Sequence, residues 1–373
     1  MGLFNFSKKK NGALTASAVQ TSPGARHPYY QLSSYMPMSG KSKIYVQLRQ
    51  AVPIIDAALN KIVRLTEGFH FETGNEILDE RINAYFENLN VGGNQQGISA
   101  FISNYLNQLL TFGTAIGEMV MGNDGIYALY NSELENIELK RSGNGVDVDF
   151  YNFNEKIKNP QLILYSVLNP KPGDLCGTSM LEGLPFIGDI LMKIYNTIGE
   201  NWEHAGNVRY AVICKPSEEG TGGDDAKEKA SAVAEAWRDA MDSKSVKDFV
   251  AVGDVSIKVI GSDNAVLDSE IPVRQLLEQI VAKTGLPPFM LGLNWSSTER
   301  MSTQQSDILT TELESYRRIL TPVIKKIGEM YMTVNGINST VNVVWDDITL
   351  QDECDNAKAQ LYLAQAEKIR REE

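Results

Sequence analysis

From Ile44 onward apolar residues recur every three or four positions: Val46, Ile54, Ile55, Ala58, Leu59, Ile62 and Leu65. This spacing predicts a helix that Gly68 ends. FHFETGN then predicts a strand and turn, and a second helix is expected over Glu76–Leu89, ahead of a Gly-Gly loop. Ile98, Phe101, Ile102, Tyr105, Leu106, Leu109 and Leu110 mark a third helix, broken at Gly113. After Gly113 the helical period is lost. IGEMVMG, GIYALYN, GVDVDFYNF and QLILYSV are short β-like runs punctuated by Gly, Asn and Asp. They complete a mixed α+β unit that ends near Pro172.

Gly177, Thr178 and Ser179 form a turn and cap. Leu181, Leu184, Ile187, Leu191, Ile194, Ile198 and Trp202 then lie on one stripe of a long helix stopped by Gly206. A small insert follows: strand RYAVICK, acidic glycine loop SEEGTGGDD, helix AKEKASAVAEAWRDAM, and strands DFVAVG and VSIKVIG. Another helix, around Pro272–Thr284, carries Val273, Leu276, Leu277, Ile280 and Val281 on one face. Gly285 is its C-cap, and Pro287-Pro288 forbids continuation. Ser296-Ser297-Thr298-Glu299 fits a capping box for the next helix. The stripe of that helix runs through Leu309, Leu313, Tyr316, Leu320, Ile324, Ile327 and Tyr331, with a kink expected at Pro322. Trp295 sits at the tip of the loop between the two helices. Its polar flanks Asn294, Ser296 and Ser297 favour exposure, against the alternative of a core anchor.

Composition narrows the function classes. The chain has 373 residues and 43% hydrophobic content, enough for a real core in two or three sub-domains. No run of about 18 apolar residues suits a membrane span. The N-terminal MGLFNFSKKK lacks the hydrophobic core of a signal peptide, and Phe6 spoils a myristoylation signal. Cys176, Cys214 and Cys354 have neither zinc nor disulfide-framework spacing, so buried reduced thiols are expected. Net charge is -12, against a protein built to grip phosphates. The charge is uneven: residues 1–43 carry six basic and no acidic side chains, which leaves -18 for the rest. With no apolar periodicity, that stretch reads as a flexible basic arm.

Candidate chemistry is sparse. Asp346, Asp347, Asp352 and Glu353 cluster as metal-dependent nuclease ligands would, but carboxylates at a strand-to-helix junction also serve as N-caps. No nearby Lys or His supports catalysis, and His27, His70 and His204 are scattered. Phosphate-loop, HExxH and GxSxG motifs are absent. No catalytic, cofactor or metal residue is therefore assigned, and a metal-dependent nuclease remains the alternative reading.

LLTFGTAIGEMV, GTSMLEGLP, GLPPFMLG, RRILTPVIKKIGE and VNVVWDDITLQDECDNAKA, in this order, resemble the portal proteins of long-tailed double-stranded DNA bacteriophages. The resemblance covers nearly all of the chain after residue 44. It implies a non-enzymatic ring, usually of twelve subunits, at one capsid vertex of a virion assembled in the host cytoplasm. Double-stranded DNA would be packaged, retained and ejected through it. Its partners would be the terminase, a head-to-tail adaptor and the major capsid protein, with no membrane and no cofactor. On this reading residues 44–178 are the wing, 179–206 and 263–285 the two stem helices, and 207–262 the clip. Residues 286–300 are the tunnel loop, 301–353 a long wing helix and terminal strand, and 354–373 the start of a crown. The loop residues Asn294, Trp295, Ser296, Ser297, Thr298 and Glu299 would line the channel. An acidic channel wall would centre DNA without trapping it, and Lys193, Arg274 and Lys283 could add transient phosphate contacts.

Overall fold

The computed structural model describes residues 40–123, 125–206, 209–214, 255–260, 269–293 and 299–348, and isolated positions 231, 232, 235, 365 and 370. The basic arm up to residue 39 and most of the insert lie outside these. By internal contacts the chain divides into Met1–Gly188 with Leu277–Glu373, and Asp189–Leu276.

In the larger unit the first predicted helix is two, α1 (Gly40–Ala51) and α2 (Pro53–Thr66). Pro53 has no N–H to continue α1 and forces Val52 into an extended conformation (φ -119°, ψ 91°). The proline then serves as the first residue of α2, where its missing donor costs nothing. The break also resets the buried stripe. Tyr45, Leu48 and Val52 are buried, while Val46, placed on the stripe by its spacing, is exposed. Strand β1 (Phe69–Glu72) and α3 (Glu76–Glu87) follow. The Asn75 side chain caps α3 by accepting from the N–H groups of Ile77 and Leu78.

Helix α4 (Ile98–Phe112) ends as expected at Gly113, which is left-handed (φ 80°) and donates its N–H to the Leu109 carbonyl. It packs on β4 (Thr114–Gly122), a member of a five-stranded sheet. The other strands are β2 (Asn90–Val91), β3 (Gln95–Gln96), β5 (Gly125–Asn131) and β9 (Ile163–Val167), in the order β3-β2-β5-β4-β9. Only the β2–β5 pair in this sheet is parallel. Residues 114–120 of β4 are all buried, because both faces are covered. On one face Phe101 of α4 lies so close that a Cβ on Gly117 would sit 2.7 Å from its ring. On the other face Ile116 and Ile163 share a cluster with Phe150 and Ile157. That cluster joins the sheet to a three-stranded one, β6 (Ile137–Arg141), β7 (Val148–Asn152) and β8 (Glu155–Lys156). The sequence patterns missed β2, β3, β6 and β8. Three of these have two residues each, too few for any period, and IELKR reads as polar.

The GTS turn closes the unit by a backbone-to-backbone junction. Thr178 donates its N–H to the Leu168 carbonyl (2.7 Å), and Leu168 donates to Gly113 (2.8 Å). Met180 N–H reaches the Leu110 carbonyl, Ser179 Oγ donates to Thr111 (2.6 Å), and Gly177 N–H reaches Thr114 Oγ1. Both glycines are required for this approach. A Cβ on Gly177 would lie 2.0 Å from the Gly113 carbonyl oxygen, and one on Gly113 would lie 2.5 Å from the backbone of Thr178.

Helix α7 (Glu299–Val334) runs through Pro322 as one element, and its predicted stripe of Leu309, Leu313, Tyr316, Leu320, Ile324, Ile327 and Tyr331 is buried. Tyr331 meets Tyr85 and Phe86 of α3 at ring distances of 4.7 and 5.5 Å. Lys326 Nζ donates to the Ile163 carbonyl, which ties α7 to β9. Strand β12 (Asn342–Trp345) pairs antiparallel with β1.

Burial raises the pKa of five tyrosines, Tyr45, Tyr85, Tyr105, Tyr165 and Tyr316, above the ordinary phenol value. Tyr165 and Tyr316 go to about 12, and the fully buried Tyr105 shifts the same way. Each favours the native state below the unfolded value of about 10, and this stabilisation is lost as pH rises through the folded value. The free energy of unfolding, read from urea titrations, should therefore fall above about pH 10, by up to about 1.4 kcal/mol per pH unit for the fully buried Tyr105 and by less for the half-buried Tyr165. Tyr105→Phe should flatten that fall; an unaltered slope would show that another group controls alkaline unfolding.

In the smaller unit, β10 (Arg209–Cys214) pairs antiparallel with β11 (Val255–Ile260), from Arg209 opposite Ile260 to Cys214 opposite Val255. These are the expected first and last strands of the insert. Helices α5 (Leu184–Gly206) and α6 (Glu270–Thr284) lead out of and back into the larger unit.

Candidate channel and docking surfaces

The predicted loop is fixed on the side that the structure describes. Gly285 is left-handed (φ 70°) and donates to Val281, and Leu286 is buried. Pro287 opens a 3-10 turn, Pro288–Leu291, closed by left-handed Gly292 (φ 75°). Lys61 of α2 donates to the Met290 carbonyl, which holds the turn against the larger unit. Met290, Leu291 and Leu293 are half-buried, whereas Phe289 is exposed, an aromatic that the sequence pattern did not single out. Residues Asn294, Trp295, Ser296, Ser297 and Thr298 lie outside the described residues, and Glu299 opens α7.

On α5 the apolar stripe loses cover along its length: Leu184 and Leu191 are buried, Ile194 and Ile198 half-buried, and Trp202 exposed. The opposite face carries Asp189, Lys193, Asn196 and Glu200, more acidic than basic. Lys193 is paired with Asp189 at 2.7 Å, one helical turn away. At this exposure the pair contributes at most about 0.5 kcal/mol, so Lys193 remains movable. On α6 only Ile280 and Thr284 are buried. Arg274 and Lys283 are exposed, but nine residues separate them, which at about 3.6 residues per turn places them on opposite sides of the helix. Only one of the two can face a given axis. The helical period that marks the apolar stripe already sets these two positions apart in the sequence.

The terminal carboxylates have structural surroundings. Asp346 N–H donates to the Gly68 carbonyl, and its carboxylate lies 3.5 Å from His70 Nδ1. Its backbone carbonyl accepts from Arg317 Nη1 at 2.6 Å. Asp352 and Glu353 lie outside the described residues. Among the described residues no three His, Cys, Asp or Glu side chains converge as metal ligands would, and no helix is long and apolar enough to cross a membrane.

Arg317 is the polar residue that periodicity passed over. It is buried and donates to the Thr66, Glu67 and Asp346 carbonyls, with its guanidinium 4.9 Å from the Trp345 ring centre. Burial holds its pKa below the ordinary arginine value, opposed by Asp346. The signal available in sequence was its place in the RRILTPVIKKIGE stretch. The cysteine expectation needs correction, because Cys176 is a free and exposed thiol. It sits beside the docked GTS turn, in the segment that leads to Gly177.

No family model matches the chain, and no curated protein matches it. Solved structures do. A chain of the virion of a native gene transfer agent particle superposes with TM-score 0.59 at 14% identity, over 86% of this chain and 89% of that one. A chain from the neck of the empty particle, at C6 symmetry, gives TM-score 0.60 at 13% identity, over 86% and 88%. A weaker likeness is to an HK97-family phage portal protein from Corynebacterium diphtheriae, TM-score 0.41 at 11% identity, over 81% and 94%. The chain therefore has the fold of the gene transfer agent neck chains, a mixed helix-and-strand fold shared over most of its length.

Proposed function

We propose that this chain is a portal subunit of a phage or phage-like particle. Copies form a ring at one capsid vertex, through which double-stranded DNA enters, is held and leaves. The observation that carries the reading is the likeness over 86% of the chain to neck chains of a gene transfer agent particle. The order of sequence motifs points the same way independently. The ring takes the terminase during packaging and a head-to-tail adaptor afterwards, both at the insert spanning 207–262, and it contacts the major capsid protein at the wing. The subunit is a conduit without its own chemistry, and the motor's ATP hydrolysis belongs to the terminase.

The electrostatics of α5 suit this role. A face that is more acidic than basic, repeated around a ring, repels the phosphate backbone from every side and keeps the duplex centred. Lys193 can exchange Asp189 for a passing phosphate at little cost. Arg274 or Lys283, whichever faces the axis, adds a second weak contact. The stretch Asn294–Thr298 with Glu299 narrows the channel.

Native mass measurement with electron microscopy tests this. Purified protein should form rings of about twelve 41.3 kDa chains with a central hole. Deleting Asn294–Thr298 should leave the rings intact and lower DNA packaging or retention. A monomer under all conditions, or a chelator-sensitive nuclease activity, would overturn the portal reading. Full packaging by the deletion would overturn the loop's role alone.

A further inference from the structure

We propose that the segment leading into α1, residues 24–39, binds in an acidic cleft beside α1 of its own chain. The cleft, of about 720 Å³, lies within the larger unit. Ser42 and Tyr45 of α1 form part of its wall, so the chain enters α1 at the cleft's edge. Its charged lining is Glu135, Glu138, Asp174 and Glu182 with Lys171; Lys171 pairs with Glu182 at 3.6 Å and Lys140 with Glu138 at 3.0 Å, which leaves Glu135 and Asp174 as the acidic excess. Between these lie half-buried apolar groups, among them Ile137, Leu139 and Leu175.

A second observation points to an occupant. Phe153 also lines the cleft, is exposed, and has a left-handed backbone (φ 46°). With Asn154 (φ 68°) it makes the two-residue turn between β7 and β8. Asn, Asp or Gly suits the first position of such a turn, and a bulky aromatic is costly there. Fold stability gives no reason for this residue, but an apolar ligand does.

The preceding segment has the matching chemistry. Residues 1–43 contain no acid; Arg26 and His27 are followed by PYYQLSSYMPM, which carries three tyrosines, a leucine and two methionines but no charge. At about 3.3 Å per extended residue, Tyr35 lies within about 25 Å of Ser42, well within reach of the cleft. The neighbouring larger cleft, of about 1690 Å³, has the opposite balance: Lys43, Arg49, Lys61 and Arg64 against Asp56, Glu133 and Glu135. Arg26, the one cationic side chain of the segment, favours the first cleft over the second. Attachment to α1 gives the segment a high effective concentration at its own cleft, which favours it over that of a neighbour.

Exposed Cys176 lines the cleft and supplies the test. In the full chain carrying Cys214→Ser and Cys354→Ser, Tyr35→Cys should form a disulfide with Cys176 on mild oxidation, read by peptide mapping. The link should be within one chain, independent of protein concentration, and at least about fivefold more abundant than with Ser7→Cys as control. Phe153→Asn should retain or raise the melting temperature and lower the yield several-fold. Absence of the link, equal yield from the Ser7→Cys control, or a link only between chains would each overturn the proposal. An unchanged yield with Phe153→Asn would remove the aromatic's part in it.

Discussion

Gly177→Ala should abolish the native state of the larger unit. The added Cβ would lie 2.0 Å from the Gly113 carbonyl oxygen and 2.4 and 2.6 Å from the Leu168 carbonyl and amide. All three atoms are backbone, held by the hydrogen bonds Leu168 to Gly113 and Thr178 to Leu168. No side chain can rotate away, so the junction between the end of α4, the end of β9 and the GTS turn must open. Opening exposes the donors and acceptors it satisfies and lifts the turn from Leu110 and Thr111. The cost should exceed about 4 kcal/mol, in the range where single substitutions unfold marginally stable proteins. Gly113→Ala should behave alike, with left-handed backbone strain in addition. Gly199→Ala is the control: nothing lies within 4 Å of the position, and α5 should gain about 0.5–1 kcal/mol. Soluble yield and circular dichroism melting decide the matter. Near-native melting of Gly177→Ala would mean that the junction is looser than its geometry.

Arg317→Leu should cost about 3–5 kcal/mol, because three carbonyls and the ring of Trp345 lose their cation together. The guanidinium joins the C-terminal end of α2, where the Thr66 and Glu67 carbonyls carry the negative end of the helix dipole, to the end of β12. Without it the β1–β12 pair loses one of its ties to α7, another being the hydrogen bond that Trp345 Nε1 donates to Thr321 Oγ1 at 2.9 Å. Arg317→Lys should recover less than half of the loss, since one ammonium cannot match the planar fork. Thermal melting and protease sensitivity after Trp345 report the effect. A melting temperature within about 2 °C of the wild type would show that solvent or a neighbouring group replaces the arginine.

The sequence alone was enough for the elements whose pattern is local. The stripes of α4 and α7 follow from apolar spacing, and the stops at Gly113 and Gly285 follow from glycine's access to left-handed backbone. The expected strands RYAVICK and VSIKVIG needed only β-branched alternation. The Val52–Pro53 break was also written in the chain, since proline cannot continue α1, yet the similar apolar content on either side hid it.

Tertiary structure decided what depends on distant partners. The two-residue strands β2, β3 and β8 exist through pairing and have no period of their own. β12 finds β1 across most of the chain, and Arg317 becomes a buried tie only once α2 and β12 present their carbonyls. The two glycine motifs read as separate turns. Folding makes each the other's contact, because only residues without a Cβ let two backbones approach so closely.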